Sequence, residues 1–266
     1  MTDASGADAL EIAALAGQEQ SVVVAGGLLG NVTGLAASPD GATVAAAAHD
    51  GRLLAVDVAS GQVTELAASD DGAIEGLAWS PDSAWLAWSQ PALRPLARIR
   101  MARIADGEVV EVTDGRFSDT DPAFTADGLY LAFLSRRSFD PVYDAQTFDM
   151  SFPFGIRPYL VPLAAATPSP FGPLPGGRPV TQDPPAEENS DSPERAVVSV
   201  DAEGLPGRVV GVPVPEARYS ALRTVKGTGW ANISFVGPCS TKRPIYMMAV
   251  SSLTWRTTAR LWVMIR

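Results

Sequence analysis

Residues 76–89 read Gly-Leu-Ala-Trp-Ser-Pro-Asp-Ser-Ala-Trp-Leu-Ala-Trp-Ser, and this stretch decides the fold. A short apolar run ends in Ser80-Pro-Asp-Ser83, and a second apolar run follows. Pro81 presets φ for a turn, and the Asp82 carboxylate suits bonds to nearby amides. The second run, Leu86-Ala-Trp-Ser89, is apolar at almost every position, as expected of a strand packed on both faces. The same text occurs upstream as Gly34-Leu-Ala-Ala-Ser-Pro-Asp-Gly-Ala-Thr-Val-Ala-Ala-Ala-Ala48. It occurs downstream as Asp121-Pro-Ala-Phe-Thr-Ala-Asp-Gly-Leu-Tyr-Leu-Ala-Phe-Leu134. The turn residues Ser38, Ser80 and Thr125 lie 42 and 45 residues apart. Propeller blades repeat at about 40–45 residues. Gly41 and Gly128 supply the positive φ that hairpin turns often require.

Two further strands follow each turn pair. His49-Asp-Gly-Arg52 precedes Leu53-Leu-Ala-Val-Asp57, and Ala59-Ser-Gly-Gln62 leads into Val63-Thr-Glu-Leu-Ala67. In the second unit Arg98–Ile104 and Glu108–Thr113 play these parts. One unit is therefore four short antiparallel strands. Complete blades are expected at 32–73 and 74–117, with a third from 118. Ser21–Ala25 reads as an outer strand of a preceding blade. Ala196–Val200 with Gly207–Val212 is expected to finish the third blade, and Tyr219–Val225 to open a fourth. A blade cannot bury its faces without neighbours, and closed propellers use about 4–8 blades. The expected class is all-β: a partial β-propeller of four-stranded antiparallel blades, with a disordered Pro-rich insertion and an atypical C-terminal tail. The expected segments are 1–20 N-terminal, 21–164 blades, 165–195 Pro-rich flexible loop, 196–227 further propeller strands and 228–266 tail.

Composition narrows the function classes. Of 266 residues, 46% are hydrophobic, enough for a core, and the net charge is −10. Residues 1–216 carry no basic patch of the kind nucleic acid demands. The single cysteine, Cys239, permits no internal disulfide and agrees with a reducing cytoplasm. No run of about 18 apolar residues suggests a membrane span. Met1–Gly17 lacks the basic start of a secretory leader. After Glu216 no Asp or Glu occurs, although the chain holds 30. Trp230, Trp255 and Trp262 cluster in that same end. Such a break fits a shifted reading frame or, as the alternative, a short basic tail with a docking role, and in either case 228–266 carries no functional argument.

Few residues suggest chemistry. His49, the only histidine, lies in a hairpin turn and has no triad around it. One His and one Cys lack metal-ligand spacing, so neither metal nor cofactor is expected. Asp40, Asp82 and Asp127 recur with the repeat and read as turn formers rather than acid–base pairs. Gly26, Gly27 and Gly30 do not form a dinucleotide-binding fingerprint. Trp79, Trp85 and Trp88 read as core between blades. Arg136, Arg137 and Arg157 flank an aromatic insertion and are candidate substrate-binding residues, since Arg clamps a peptide carboxylate bidentately. Their alternative role is structural pairing with Asp140, Asp144 or Asp149.

The insertion also carries a family resemblance. Phe133-Leu-Ser-Arg-Arg-Ser-Phe-Asp-Pro-Val-Tyr-Asp144, Phe148-Asp-Met-Ser-Phe-Pro153 and Arg157-Pro-Tyr-Leu-Val161 look like the tricorn protease family. Gly204-Leu-Pro-Gly-Arg-Val-Val210 and Pro215-Glu-Ala-Arg-Tyr-Ser220 are similar to the same family. The likeness covers about residues 20–227. It implies large cytoplasmic serine peptidases with two propellers, a PDZ-like domain and a catalytic core. It places this chain in the second, seven-bladed propeller, as scaffold and substrate channel. The resemblance implies that the nucleophile lies outside this chain, so no catalytic residue is carried over. Implied partners are peptides and the remaining domains of the peptidase, with neither nucleic acid nor membrane, and the full-length parent is open to homo-oligomerisation. The competing expectation is a TolB- or WD-type propeller serving as a protein-interaction module.

Overall fold

A computed structural model describes residues 8–12, 22–137, 142–144, 149–151, 155–171, 196–217, 219–224 and 233–236. A short antiparallel pair, β1 (Leu10–Ile12) and β2 (Val22–Val24), comes first. The first blade is β3 (Val32–Ala37), β4 (Thr43–Ala48), β5 (Leu53–Asp57) and β6 (Val63–Ala67), hydrogen-bonded in sequence order. The second is β7 (Glu75–Trp79), β8 (Trp85–Pro91), β9 (Ala97–Arg103) and β10 (Val109–Glu111). The third opens with β11 (Asp119–Phe124) and β12 (Tyr130–Ser135). A hairpin of β13 (Val142–Asp144) and β14 (Asp149–Ser151) is then inserted. The blade resumes with β15 (Arg157–Pro162) and closes with β16 (Val210–Gly211). A last pair, β17 (Ser220–Thr224) and β18 (Ile233–Val236), stands beside the third blade. The chain is thus an all-β partial propeller of four-stranded antiparallel blades.

The repeated turns are built atom for atom alike. The Ser80 hydroxyl donates to Asp82 Oδ1 at 2.6 Å, and the Ala84 amide donates to the same oxygen at 3.1 Å. Ser80 Oγ in turn accepts from the Trp85 amide at 2.8 Å. Ser38 with Asp40, and Thr125 with Asp127, repeat this arrangement. Each carboxylate satisfies donors that the tight turn leaves outside the ladder. The fourth turn position is left-handed in all three blades: Gly41 (φ 75°), Ser83 (φ 64°) and Gly128 (φ 69°). The aspartates are therefore turn formers, as their period predicted.

Alternation explains the continuous apolar runs. Ala45, Ala47 and Leu53 face blade two, whereas Ala46, Leu54 and Val56 face β1–β2. Leu86, Trp88 and Ala102 face blade one, while Trp85, Ala87, Ile99 and Met101 face blade three. Leu131, Phe133 and Val161 turn toward blade two, and Tyr130, Ala132, Leu134 and Leu160 toward β17. Each blade thus buries both faces, and the core is a row of seams rather than one centre. The three strand tryptophans lie in these seams, with Trp88 fully buried.

The third blade departs from expectation in its last strand. Val210–Gly211 pairs with β15 as foreseen, but 196–200 forms no strand. It runs as a strap toward blade two, where the Val198 amide donates to Asp82 Oδ2 at 2.7 Å. Its alternation of valines is real, with Val198 buried and Val197 84% exposed, yet the buried side faces the seam and not a blade neighbour. Residues 165–171, at the start of the expected Pro-rich loop, are held by contacts. The Tyr130 hydroxyl donates to the Pro168 carbonyl at 2.9 Å, and Phe171 packs near Tyr130. Residues 172–195 and most of 228–266 lie outside the described residues. Within the tail, β18 pairs with β17, a strand the sequence alone did not reveal.

Candidate functional site

Blade geometry sets one strand from each blade side by side: β3, β7, β11 and β17. A β-bulge interrupts every one of these strands near its start, between Val32 and Gly34, Glu75 and Ala78, Thr120 and Ala123, and Ser220 and Arg223. A bulge bends a strand and re-aims its side chains. Three bulges contain a left-handed residue: Gly76 (φ 65°), Asp121 (φ 52°) and Ala221 (φ 53°). A Cβ on Gly76 would sit 3.1 Å from Pro122 Cδ, so the bulges of blades two and three nest together. Pro122 is tolerated there because the bulged position needs no ladder donor. Thr33, Glu75 and Ser220 are exposed beside these bulges, and Thr120 and Asp121 are half-exposed. The Thr120 hydroxyl donates to Asp121 Oδ2 at 3.1 Å. Polar side chains thus gather where the four strands meet.

The three candidate arginines separate sharply. Arg137 is enclosed. Its guanidinium lies 4.8 Å from the Phe117 ring centre, 5.2 Å from Phe133 and 4.9 Å from Tyr159. Its terminal nitrogen donates to both oxygens of Asp119, at 2.9 and 2.8 Å, and its Nε donates to Ser135 Oγ at 2.9 Å. Asp119 is completely buried and also accepts from the Ser135 hydroxyl. A buried carboxylate needs such partners to stay within the fold. Arg137 therefore takes a structural pairing, with Asp119; Asp140 and the side chains of Asp144 and Asp149 lie outside the described residues. The register explains this, because Asp119 stands directly opposite Ser135 across β11 and β12.

Arg157 is likewise tied down. Its Nε donates to the Val212 carbonyl at 2.9 Å, fastening β15 to the segment after β16. Burial pushes the Tyr219 phenol up, and the Arg157 charge offsets part of that rise. Arg136 alone is exposed. Its amide donates to the Ser118 carbonyl at 3.1 Å, and among the described residues its side chain makes no ion pair. His49 is exposed in its turn, with its amide donating to the Asn31 carbonyl at 2.8 Å. Among the described residues no group of three or more His, Cys, Asp or Glu is placed to hold a metal ion. No helix among them is long and apolar enough to cross a membrane.

Comparison with known proteins places this blade series. The family model described as the tricorn protease second beta propeller domain matches residues 1–243. The chain belongs to the tricorn protease family. Tricorn protease homolog 1 of Streptomyces coelicolor is 49% identical over 247 residues, covering 91% of this chain and 23% of the relative. Putative tricorn protease homolog 2 of the same organism is 39% identical, covering 86% of this chain and 27% of its own length. The chain therefore spans about a quarter of these curated relatives. A crystal structure of the tricorn protease superposes with a TM-score of 0.67 at 21% identity, covering 81% of this chain and 20% of that one, which supports the fold. This chain is a propeller portion of a tricorn-like protease. The family match runs to residue 243, past residue 227 where the sequence resemblance was seen to end, and takes in β18.

Proposed function

We propose that this propeller portion acts as scaffold and as one wall of a passage through which peptides reach a serine-type hydrolytic centre in another part of the longer protein. The observation that carries this reading is the recurrence of a bulge in β3, β7, β11 and β17, with exposed or half-exposed polar groups beside each. A bulged strand edge offers backbone and polar side-chain groups to an extended chain without demanding a particular sequence. Arg136, exposed at the mouth of the insertion, is the arginine of the three best placed to meet a peptide carboxylate. Peptides and the remaining domains of the peptidase are the partners of this reading. A cytoplasmic location is supported by the single cysteine, which leaves no internal disulfide to form.

A photoreactive peptide incubated with the chain tests the passage. Labelling of residues near Thr33, Glu75, Thr120 and Ser220 is expected, and labelling confined to the outer strands β6, β10 and β16 overturns the reading. The isolated chain is expected to cleave no peptide. Turnover blocked by a serine-directed inhibitor would place the centre within these residues and refute the proposal.

A further inference from the structure

The three repeat turns share one construction, yet the Asp82 turn has taken on a second task. Its Oδ1 accepts from the Ser80 hydroxyl and the Ala84 amide. Its Oδ2 accepts the Val198 amide, 116 residues further along, at 2.7 Å. Val198 is 7% exposed and joins Trp85 and Phe124 in the core between blades two and three. The strap that carries it is otherwise exposed at Val197, Ser199 and residues 201–204. It belongs to no sheet.

The two ends of the strap are anchored unequally. At its far end Leu205 is fully buried, and Arg208 donates to the carbonyls of Leu163, Asp201 and Glu203. Asp201 Oδ2 accepts the Ala165 amide at 2.7 Å. All of those ties return to the third blade's own connection. The Val198 end crosses to the neighbouring blade, where among the described residues the Asp82 carboxylate is its polar tie; Val198 and Val200 join the core there, and Val198 also lies close to the Gly128 turn of blade three. Exposed backbone with few buried contacts opens locally before the rest of a fold.

We propose that Asp82 and Val198 form a releasable latch between blades two and three. The strap swings at its Val198 end while Leu205 and Arg208 keep it hinged to blade three. Closed, it plugs the Trp85–Phe124 seam; open, it bares that seam on the face of the repeat turns without unpairing any blade strand.

Asp82→Asn isolates the latch. The amide oxygen can keep the Ser80 and Ala84 bonds, but its NH2 then meets the Val198 N–H, donor against donor. Hydrogen–deuterium exchange on the 266-residue chain reads the result. In D82N the Val198 amide is expected to exchange at least about tenfold faster, as loss of a charge-assisted bond implies. Amides of β8, β12 and β15 should stay within about twofold. Asp40→Asn, the same change in blade one's turn, should leave Val198 unaltered. An unchanged Val198 rate in D82N overturns the latch, and so does acceleration of all blade amides together. Should D82N not fold, the unsubstituted chain decides in sub-denaturing urea. A latch gives Val198 exchange that is nearly independent of urea while β12 amides respond steeply. Equal urea slopes at both sites refute it.

Discussion

The seam between blades one and two and the seam between blades two and three bury similar strands with different materials. The first sets small residues against a large one: Ala45, Ala47 and Leu53 lie opposite Leu86 and the fully buried Trp88. Its polar closure includes neutral hydrogen bonds. The Trp79 indole donates to the Ala36 carbonyl at 2.9 Å, the Trp88 indole donates to Gln90 Oε1 at 2.9 Å, and the Asp40 amide donates to Ser83 Oγ at 3.1 Å. The second seam packs aromatic and long aliphatic side chains from both blades. At one end it adds a buried ion pair, Arg137 with Asp119, and at the other a strap. The difference follows from the insertion after β12. A plain hairpin, as in blade one, turns the chain back at once. A longer excursion must be fastened at its base, and Arg137 fastens it by reaching across to β11.

The largest effects should come from breaking each seam at its centre. Arg137→Ala leaves the Asp119 carboxylate buried with a hydroxyl as its remaining side-chain donor, and should destabilise the chain by about 3–5 kcal/mol. Trp88→Ala hollows the first seam and should cost about 3–5 kcal/mol. The two are distinguished by rescue. Arg137→Met combined with Asp119→Asn removes both charges and should recover much of the Arg137→Ala loss, because an uncompensated buried charge is the larger part of the cost. Urea unfolding of the three variants measures this, and a double variant no more stable than Arg137→Ala would show that packing of the guanidinium among Phe117, Phe133 and Tyr159 dominates instead.

A smaller effect separates the turns of blades one and three. Gly41→Ala and Gly128→Ala both force a side chain into the left-handed region, at φ 75° and 69°, each costing about 1–2 kcal/mol. Around Gly41 an added Cβ meets nothing within 4 Å, whereas at Gly128 it would lie 2.9 Å from Val198 Cγ2. Gly128→Ala should therefore unfold at lower urea than Gly41→Ala. Equal midpoints would mean that the strap yields freely, which would detach the strap from the stability of the seam.

Much of this was readable from the chain. The Ser-Pro-Asp-Gly repeat located the turns, and the absence of alternation in Leu86–Ser89 and Leu131–Leu134 signalled burial on both faces. The Asp119 partner of Arg137 follows from strand register and not from nearness in sequence. Counting back from the Thr125 turn gives Phe124 opposite Leu131, and one bulge later Asp119 opposite Ser135. Ser135 is two residues from Arg137, so the hairpin arithmetic held the answer once a bulge was allowed. The strap departs from its strand-like sequence for a different reason. Its Val-Val-Ser-Val text has strand propensity, but the outermost place beside β15 is taken by Val210–Gly211. Propensity records how a segment suits a pleated, half-buried surface, and a seam supplies such a surface without a ladder.

The smallest expected effect tests whether charge near the second seam matters beyond the buried pair. Asp114 lies in the connection from β10 to β11, and its carboxyl is held below the usual range chiefly by the Arg116 guanidinium, with Arg137 adding to it. A carboxyl depressed in the folded state contributes stability above its unfolded value, and that contribution is lost as pH falls through the folded value. Arg116 is 76% exposed, so solvent screens the pair. Arg116→Ala should leave Tm at pH 7 unchanged within error and slightly flatten the fall of Tm on the acid side. A marked loss at pH 7 would show that the Asp114 loop, and not only Asp119, holds Arg137 in its aromatic enclosure. The blade two–three seam would then depend on a network of carboxylates reaching beyond its buried pair.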